Sequence, residues 1–279
     1  MKLLNKKAVI SGASKGLGAA IAEAYVKAGA SVVICARDND RLLEKEAELK
    51  CISRGNAKIM AIPTDISSPK EVDYLIKTTE AALGGIDILV ANAGIYGPIG
   101  PLETLDWQAW SQSIDINLKG TILQCRSIIP VFKKQKKGKI IIISGGGATK
   151  PMPNFSAYAT AKAGIVRFSE TLAEELRKFK IDVMAIAPGA LNTGFLNELL
   201  SAGPEKVGHL FYQAALEQEK SGGSPLELAA NLSVYLASDA ANGITGKLIS
   251  AVWDRWSTLH EYFSEIANTD IYTLRRVVS

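Results

Sequence analysis

The stretch Gly138–Lys178 reads GKIIIISGGGATKPMPNFSAYATAKAGIVRFSETLAEELRK. Its four consecutive isoleucines between polar ends indicate a strand that is buried on both faces, as in a parallel sheet. A glycine-rich loop follows, and after it the apolar residues recur with helical spacing. The stretch therefore predicts one strand, loop and helix unit of an α/β fold.

The helix of this unit carries Tyr158 and Lys162. Residues four apart share one helix face, so the phenol and the ammonium can project into the same space. A free tyrosine titrates near pH ~10, and a nearby cation lowers that pKa. Such a tyrosine can protonate a carbonyl oxygen or deprotonate an alcohol. A pair of this kind is common on helices, so it indicates catalysis only together with other motifs in the chain.

The composition limits the classes of protein and of partner that fit this chain. The chain has 279 residues and is 47% hydrophobic, which suffices for one large core. The net charge is +4 and the basic residues are scattered, which favours a solvated surface over a nucleic-acid face. The apolar runs are too short for a signal peptide or a membrane helix. We predict a cytoplasmic protein with no nucleic-acid or membrane partner.

Metal-binding residue types are few. The three cysteines, Cys35, Cys51 and Cys125, lack metal-site spacing, which fits a reducing compartment. The chain has only two histidines, His209 and His260, so side chains for a histidine metal site or a Ser-His-Asp triad are scarce. The sequence therefore predicts no metal site.

A glycine loop lies near the N-terminus. The predicted strand Lys7–Ser11 is followed by Gly12-Ala-Ser-Lys-Gly16-Leu-Gly18 and by a helical pattern from Leu17 to about Ala28. Glycines let the backbone approach a pyrophosphate, and the helix N-terminus attracts its charge. The alternative is a tight turn that needs glycines for geometry alone. The position between a strand and a helix favours the phosphate interpretation.

Five segments resemble motifs of the short-chain dehydrogenase/reductase family. They are the loop Ser11–Gly18, Asn92-Ala93-Gly94, Asn117, the Tyr158 and Lys162 pair, and Pro188-Gly189 followed by Thr193. Ser11 replaces the family's threonine, and Ala91 replaces the first asparagine of its NNAG segment. The segments follow the family order, and the resemblance covers roughly residues 6–250.

The resemblance implies a Rossmann-like, doubly wound parallel sheet of about seven strands with helices on both faces. It implies hydride transfer between a nicotinamide dinucleotide and a carbonyl or secondary alcohol. Tyr158 would be the acid/base, and Lys162 would lower its pKa and hold the nicotinamide ribose. Asn117 would support a proton relay through a bound water.

The resemblance also implies where the cofactor binds. Asp65 would bond the adenine amino group, Ile66 would contact the base, and the segment from Pro188 would reach the nicotinamide carboxamide. The full predicted set of cofactor contacts is Gly12, Ser14, Lys15, Gly16, Leu17, Gly18, Arg37, Asp65, Ile66, Asn92, Ala93, Gly94, Tyr158, Lys162, Pro188, Gly189, Leu191 and Thr193.

The end of the second predicted strand, Ser31–Ala36, bears on the choice of cofactor. Dinucleotide enzymes often place an acidic residue there to hold the adenosine 2′-OH. Here Arg37 follows, and Lys15 lies in the glycine loop, so two cations can clamp a 2′-phosphate. The pair resembles the NADP-preferring branch of the family. NADP(H) is favoured, and Asp38 keeps NAD(H) open as an alternative.

One catalytic position departs from the family. In many relatives a substrate-orienting serine lies 13 residues before the tyrosine, and here that position is Gly145. Ser144 precedes it, but successive strand residues point to opposite faces. Glycines at 145–147 permit a twist or bulge that would return the Ser144 hydroxyl to the substrate oxygen. We interpret Ser144 as a catalytic residue on this basis, with Thr149, a water or a backbone N–H as alternatives.

Two later segments differ in role. The long connection Gly194–Gly223 has the length of a lid, and its apolar residues can cover a substrate or simply pack. Most relatives end soon after the last strand, whereas this chain continues with an aromatic-rich extension. We predict a single dinucleotide-binding and catalytic domain over residues 1–252, with residues 253–279 packed on it or on a neighbouring subunit.

The resemblance also bears on the assembly of the protein and on the class of its partner. In the family, the helices that match Trp107–Phe132 and Phe155–Lys178 pack against their copies, which predicts a homodimer or homotetramer. The partner would be a small-molecule carbonyl or alcohol whose identity the fold does not fix. A non-catalytic dinucleotide-binding regulator on the same scaffold is the main alternative. An extended-type sugar epimerase fits less well, because the chain is short for it.

Overall fold

The computed structural model describes residues 1–276, in which seven parallel strands form one sheet. The spatial order is β3-β2-β1-β4-β5-β6-β7. The strands are β1 Lys7–Ser11, β2 Ser31–Ala36, β3 Ile59–Pro63, β4 Ile88–Ala91, β5 Gly138–Ile143, β6 Ile181–Ala187 and β7 Lys247–Ser250. The order reverses between β1 and β4, which opens a crevice at their carboxyl ends. The predicted doubly wound α/β fold is confirmed.

Helices cover both faces of the sheet. They are α1 Gly16–Lys27, α2 Asn39–Ile52, α3 Pro69–Leu83, α4 Trp107–Ile114, α5 Gly120–Gln135, α6 Ser156–Leu176, α7 Gly194–Ala202, α8 Pro204–Val207, α9 His209–Ser221, α10 Leu226–Ala237 and α11 Leu259–Ile266. Side chains of alternate strand residues point to opposite faces of the sheet, so they pack in two different cores, as in other parallel sheets. Ile141 packs with α1, α2 and α10, whereas Ile140 and Ile142 pack with α3, α5 and α6.

The region Trp107–Phe132, predicted as one helix, is interrupted. Helices α4 and α5 are separated by a π-helical turn over Asp115–Lys119. A π-turn inserts an extra residue into a helix and is held in place by contacts that an α-helix would not make. Here those contacts come from Asn117, which lies in the turn and is fully buried.

Strand β7 ends at Ser250. The Asp254 carboxylate accepts the Ser250 N–H at 2.7 Å, and Ser250 Oγ accepts the N–H groups of Val252 and Trp253. These side-chain acceptors replace the strand ladder and turn the chain out of the sheet. Trp253 is thereby left at the surface.

The residues that follow the turn, 253–276, are called the terminal segment. Its aromatic residues Trp256, Tyr262, Phe263 and Tyr272 pack against the core that contains α1 and α10. Lys247 Nζ of β7 donates to the carbonyl oxygens of Ile266, Thr269 and Ile271 at 2.8, 2.8 and 3.0 Å. The Leu248 N–H donates to Tyr272 O at 2.8 Å. The terminal segment therefore lies along the outer edge of β7.

Helices α7, α8 and α9 form the connection predicted as a lid. Leu196, Leu199, Val207 and Ala215 pack in one apolar cluster with Phe155 and Tyr158. Across residues 1–276, no helix is long and apolar enough to cross a membrane.

Candidate active site

A cavity of about 1590 Å³ opens at the carboxyl ends of the strands. The glycine loop, the ends of β2, β4, β5 and β6, and the lid helices line it. Every residue predicted to contact the cofactor lies on its wall, and so does Ser144. Asn117 does not line it. One cavity of this size exceeds the usual range of about 300–1,000 Å³ for a single ligand, so it has room for two.

The glycine loop has a backbone that requires glycine. Gly12 and Gly16 lie in the left-handed region, with φ of 64° and 58°. A Cβ on Gly18 would lie 2.2 Å from Gly12 O, and a Cβ on Gly12 would lie 2.7 Å from Ala93 Cα. The loop therefore packs closely against the end of β4, and the first residues of α1, Gly16–Gly18, line the cavity. This arrangement fits a phosphate group.

Ser11 and Asn92 hold the loop in place. Ser11 Oγ accepts the N–H groups of Asn92 and Ala93 at 3.1 and 3.3 Å. Asn92 Nδ2 donates to Ser11 O at 2.9 Å and to Gly12 O at 3.2 Å. A serine thus serves where the family has threonine, because only the hydroxyl is needed for these bonds.

The predicted pair of cations, Lys15 and Arg37, lines the cavity together with a third cation, Arg41. Lys15 Nζ lies 3.6 Å from the position that a Cβ on Gly194 would occupy, so it reaches the start of α7. Arg41 lines the cavity with Arg37, and sequence reasoning missed it because it is hidden in a charged helix. Asp38 caps α2 by accepting the Arg41 N–H at 3.2 Å. Its carboxylate lies 3.4 Å from Arg41 Nε.

The predicted adenine contacts lie on the loop after β3. Asp65 Oδ1 accepts the Ser67 N–H and hydroxyl at 2.9 and 2.7 Å, which fixes the carboxylate. Ile66 is buried beside Gly120, where a Cβ would lie 2.8 Å from Ile66 Cδ1. The absence of a side chain at Gly120 therefore allows α5 to approach this loop.

Tyr158 and Lys162 lie side by side on α6 and are only 7% and 5% exposed. Lys162 Nζ donates to Ile143 O at 2.9 Å and lies 5.5 Å from the centre of the Tyr158 ring. Burial raises the pKa of Tyr158, with a smaller contribution from Tyr96, and burial lowers the pKa of Lys162 to about 8. The predicted lowering of the tyrosine pKa is thus outweighed by burial. A free phenol is already protonated at neutral pH, so the raised pKa leaves the proton in place but makes the phenol a weaker acid.

Gly145, not Ser144, is the residue that faces Tyr158. A Cβ on Gly145 would lie 2.3 Å from the phenol oxygen. Gly145 is extended, with φ −170° and ψ 173°, and none of the three glycines at 145–147 has a positive φ. The bulge on which the interpretation of Ser144 depended is therefore not formed. Ser144 Oγ is buried and, within residues 1–276, has no hydrogen-bond partner.

Asn117 positions the loop after β4. Its Oδ1 accepts the Ile95 N–H at 3.0 Å, and its Nδ2 donates to Ile95 O at 2.8 Å and to Ser113 O at 3.0 Å. A Cβ on Gly94 would lie 2.6 Å from Asn117 Oδ1 and 3.7 Å from Lys162 Nζ. Gly94 thus allows the buried asparagine to lie close behind the lysine.

The segment from Pro188 lines the cavity and meets the glycine loop. Gly189 has φ 93°, and a Cβ there would lie 2.6 Å from Val252 Cγ2. A Cβ on Gly16 would lie 3.6 Å from Thr193 Cγ2, so the two segments meet. Leu191 forms an isolated antiparallel bridge with Gly223 at the end of the lid.

Tyr158 belongs to a connected set of five aromatic rings, which we call the aromatic cluster. The ring centres of Tyr96 and Tyr158 are 4.9 Å apart, and those of Tyr96 and Phe195 are 4.7 Å apart. Phe155 lies 5.3 Å from both Tyr96 and Phe211. The five rings come from three regions of the chain, which sequence spacing does not connect.

The part of the chain that the structure describes contains no group of three or more His, Cys, Asp or Glu side chains placed to hold a metal ion. The cavity wall instead carries glycines, backbone amides and a few cations. These are the groups that hold a dinucleotide.

Comparisons with known proteins agree with this geometry. The family model described as short chain dehydrogenase matches residues 6–203. The chain is 36% identical to 3beta-hydroxysteroid dehydrogenase 1 of Eggerthella lenta, covering 88% of this chain and 91% of that protein. It is 33% identical to (2S)-[(R)-hydroxy(phenyl)methyl]succinyl-CoA dehydrogenase subunit BbsD of Thauera aromatica, covering 89% and 96%.

Two solved structures are similar over most of their length. A short-chain type dehydrogenase/reductase from Mycobacterium marinum gives a TM-score of 0.78 at 30% identity, covering 89% of this chain and 94% of that one. The 3-ketoacyl-(acyl-carrier-protein) reductase from Brucella melitensis, complexed with NADH, gives 0.76 at 29% identity, covering 89% and 97%.

Proposed function

This chain belongs to the short-chain dehydrogenase family of oxidoreductases, and on that premise we propose that it interconverts a carbonyl and a secondary alcohol with an NAD(P)(H) cofactor. The observation that carries the proposal is the buried pair of Tyr158 and Lys162 at the wall of a cavity whose other end is the glycine loop. The nicotinamide, when bound, supplies or accepts the hydride. The chain supplies position and the proton.

The proton comes from Tyr158. The phenol carries its proton at neutral pH and can donate it to the oxygen of a carbonyl substrate. The Lys162 ammonium, fixed by Ile143 O, stabilises the phenolate that forms. With a pKa of about 8, this lysine carries its charge at neutral pH. Asn117 acts through the loop that it holds behind Lys162.

A direct assay separates this function from the regulatory alternative, which the comparisons do not support. Oxidation of NADPH and NADH is followed in the presence of a panel of ketones and aldehydes. We expect turnover with at least one of them. Tight dinucleotide binding with no turnover across the panel would instead favour a regulator.

We further propose that NADP(H) is the preferred cofactor. Arg37 and Arg41 line the cavity at the end of β2, and both are exposed and able to meet a 2′-phosphate. Lys15 would then contact the pyrophosphate instead of completing a clamp with Arg37.

Arg37→Asp should remove the preference for NADPH. A charge-assisted bond becomes a repulsion, and we expect a loss of NADPH affinity of at least about tenfold with little change for NADH. Titration by cofactor fluorescence measures both. Arg54→Asp, which makes the same charge change outside the cavity wall, is the control. Equal affinity of the parent protein for the two cofactors would contradict the proposal.

We also propose a homodimer or homotetramer formed through α5 and α6, with two-fold symmetry. Leu118, Ile129 and Phe168 are half-buried apolar residues in this region and would supply contact surface. Light scattering at micromolar concentration should give at least twice the mass of one chain. A monomer at that concentration would show that the surface is not an interface. The cytoplasmic location stays a prediction, as does the absence of nucleic-acid and membrane partners.

A further inference from the structure

The terminal segment passes over the edge of the sheet and ends on helix α6. Its aromatic residues pack in the core beside α1 and α10, and β7 holds it along the sheet edge. Leu274, near its end, packs against a buried apolar cluster that contains Val166 of α6. Helix α6 also carries Tyr158 and Lys162. The end of the segment therefore contacts the helix that supplies the proton donor.

Two charged side chains of α6 hold Leu274 by its backbone. Glu170 Oε1 accepts the Leu274 N–H at 3.0 Å, and Arg167 Nη2 donates to Leu274 O at 2.7 Å. Glu170 Oε2 pairs with Arg167 and, at 2.7 Å, with Arg275. Glu170 is only 7% exposed, and a buried carboxylate is costly unless charged or polar groups pair with it. These contacts therefore bind the end of the segment to one defined place on α6.

The contacts with α6 are additional to those that attach the segment to the sheet. Lys247 Nζ and the Leu248 N–H already hold the preceding carbonyl groups of the segment, the last of them at Tyr272. Leu274 and Arg275 come after these carbonyl groups and are held by side chains of α6. A change at Leu274 therefore alters the link to α6 and leaves the segment attached to β7.

The apolar contact of Leu274 also involves the loop that faces the tyrosine. The cluster against which Leu274 packs includes Ala148, whose N–H donates to Gly145 O at 3.0 Å. Gly145 is the residue that faces the Tyr158 phenol. Leu274 thus packs against a cluster that includes both supports of the phenol, helix α6 and the loop 145–148.

From these contacts we propose that Leu274 and Glu170 are positioning residues, which fix the Tyr158 phenol relative to the substrate oxygen through α6 and the loop 145–148. This inference rests on the proposed function. Proton transfer needs the donor within hydrogen-bond reach of its acceptor, and a displacement of about 1 Å can cost about a hundredfold in rate. Neither Leu274 nor Glu170 lines the cavity, so each acts through groups that do.

Leu274→Ala tests the apolar half of the proposal. With NADPH and the panel ketone that the parent protein reduces fastest, we expect kcat to fall about three- to tenfold, because the packing behind the loop is lost. KM for the ketone and the affinity for NADPH should stay within about twofold, since Leu274 lies outside the cavity wall. Hydrogen exchange measured by mass spectrometry should be faster in peptides that cover residues 145–166 and unchanged in those of β1, β2 and β4.

Two further variants separate positioning from lost stability. Leu226→Ala removes a half-buried leucine that packs on the other core and lies outside the cavity wall, so Tm should fall while kcat stays within about twofold. Leu274→Met keeps an apolar side chain of similar volume and should keep the parent kcat. An unchanged kcat in Leu274→Ala, an equal loss in Leu226→Ala, or faster exchange along the whole chain would overturn the proposal.

Glu170→Gln and Glu170→Ala test the charged half. Glutamine keeps an acceptor for the Leu274 N–H but loses the charge that pairs with Arg275, whereas alanine loses both contacts. We therefore expect kcat to fall in both variants, and further in Glu170→Ala. The parent kcat in both variants would show that Glu170 does not position α6.

Hydrogen exchange also separates failure of this proposal from failure of the proposed function. If the parent protein reduces no ketone, exchange in residues 145–166 still reports whether Leu274 holds them. Faster exchange there in Leu274→Ala than in Leu226→Ala would support the inference that the segment fixes this part of the site, even though the catalytic proposal had failed. Exchange equal to that of the parent protein would overturn it.

Discussion

Tyr158→Phe should lower kcat/KM for carbonyl reduction by about 10²–10⁴-fold, because it removes the proton donor. The ring stays, so its packing on Tyr96 and Phe195 is kept. Melting temperature and NADPH affinity should therefore match the parent protein, which shows that the loss is chemical. A variant that turns over at the parent rate would show that the proposed mechanism is wrong for this chain.

Ser144→Ala is the matched comparison for this experiment. Ser144 Oγ makes no hydrogen bond within the described residues. The next residue, Gly145, is the one that faces the tyrosine. We expect kcat/KM within about threefold of the parent value. A loss of about one hundredfold, or roughly 2.7 kcal/mol, would show that the hydroxyl stabilises developing charge on the substrate oxygen, as the sequence interpretation held.

Gly18→Ala should have the second largest effect, through the loop rather than the chemistry. The added Cβ would lie 2.2 Å from Gly12 O and 2.5 Å from Asn92 Nδ2. Asn92 is held by hydrogen bonds to Ser11 and Gly12, so neither neighbour can move independently. Overpacking of this kind costs about 1–3 kcal/mol, and we expect NADPH affinity to fall by about ten- to hundredfold.

The control for this variant is Gly146→Ala. Gly146 has no atom within 4 Å of a Cβ and has no positive φ, so alanine fits there. Thermal unfolding should give a lower Tm for Gly18→Ala and an unchanged Tm for Gly146→Ala. If Gly18→Ala binds NADPH and melts like the parent, the loop is not as tightly packed as the structure shows.

Much of the sheet could be predicted because each strand is a short apolar run with clear limits. β1 and β2 begin and end at the predicted residues: each starts at a polar residue, Lys7 or Ser31, and Gly12 or Arg37 follows its end. The π-turn over Asp115–Lys119 could not be predicted, because apolar residues recur with helical spacing on both sides of it. It depends on bonds from Asn117 to Ile95, which lies 22 residues earlier.

The part of the site that one continuous motif forms, such as the glycine loop, could be predicted from the sequence. It was not predictable where separate segments meet. The raised pKa of Tyr158 arises from burial by the lid and by the loop that carries Tyr96. The bulge predicted for Ser144 required a backbone angle that glycine permits but does not enforce, and Gly145 stays extended.

The terminal segment has a consequence for how the protein is made. Strand β7 lies at the edge of the sheet, where unpaired N–H and C=O groups can recruit a strand from another molecule. Tyr272 O and the three carbonyls bound by Lys247 cover that edge, and all belong to residues that are synthesised after the seven strands. Because domains fold from the N-terminus during synthesis, the rest of the sheet can form first. The nascent chain therefore carries an open edge until residues 266–272 have left the ribosome, and a chain that stopped before them would keep it.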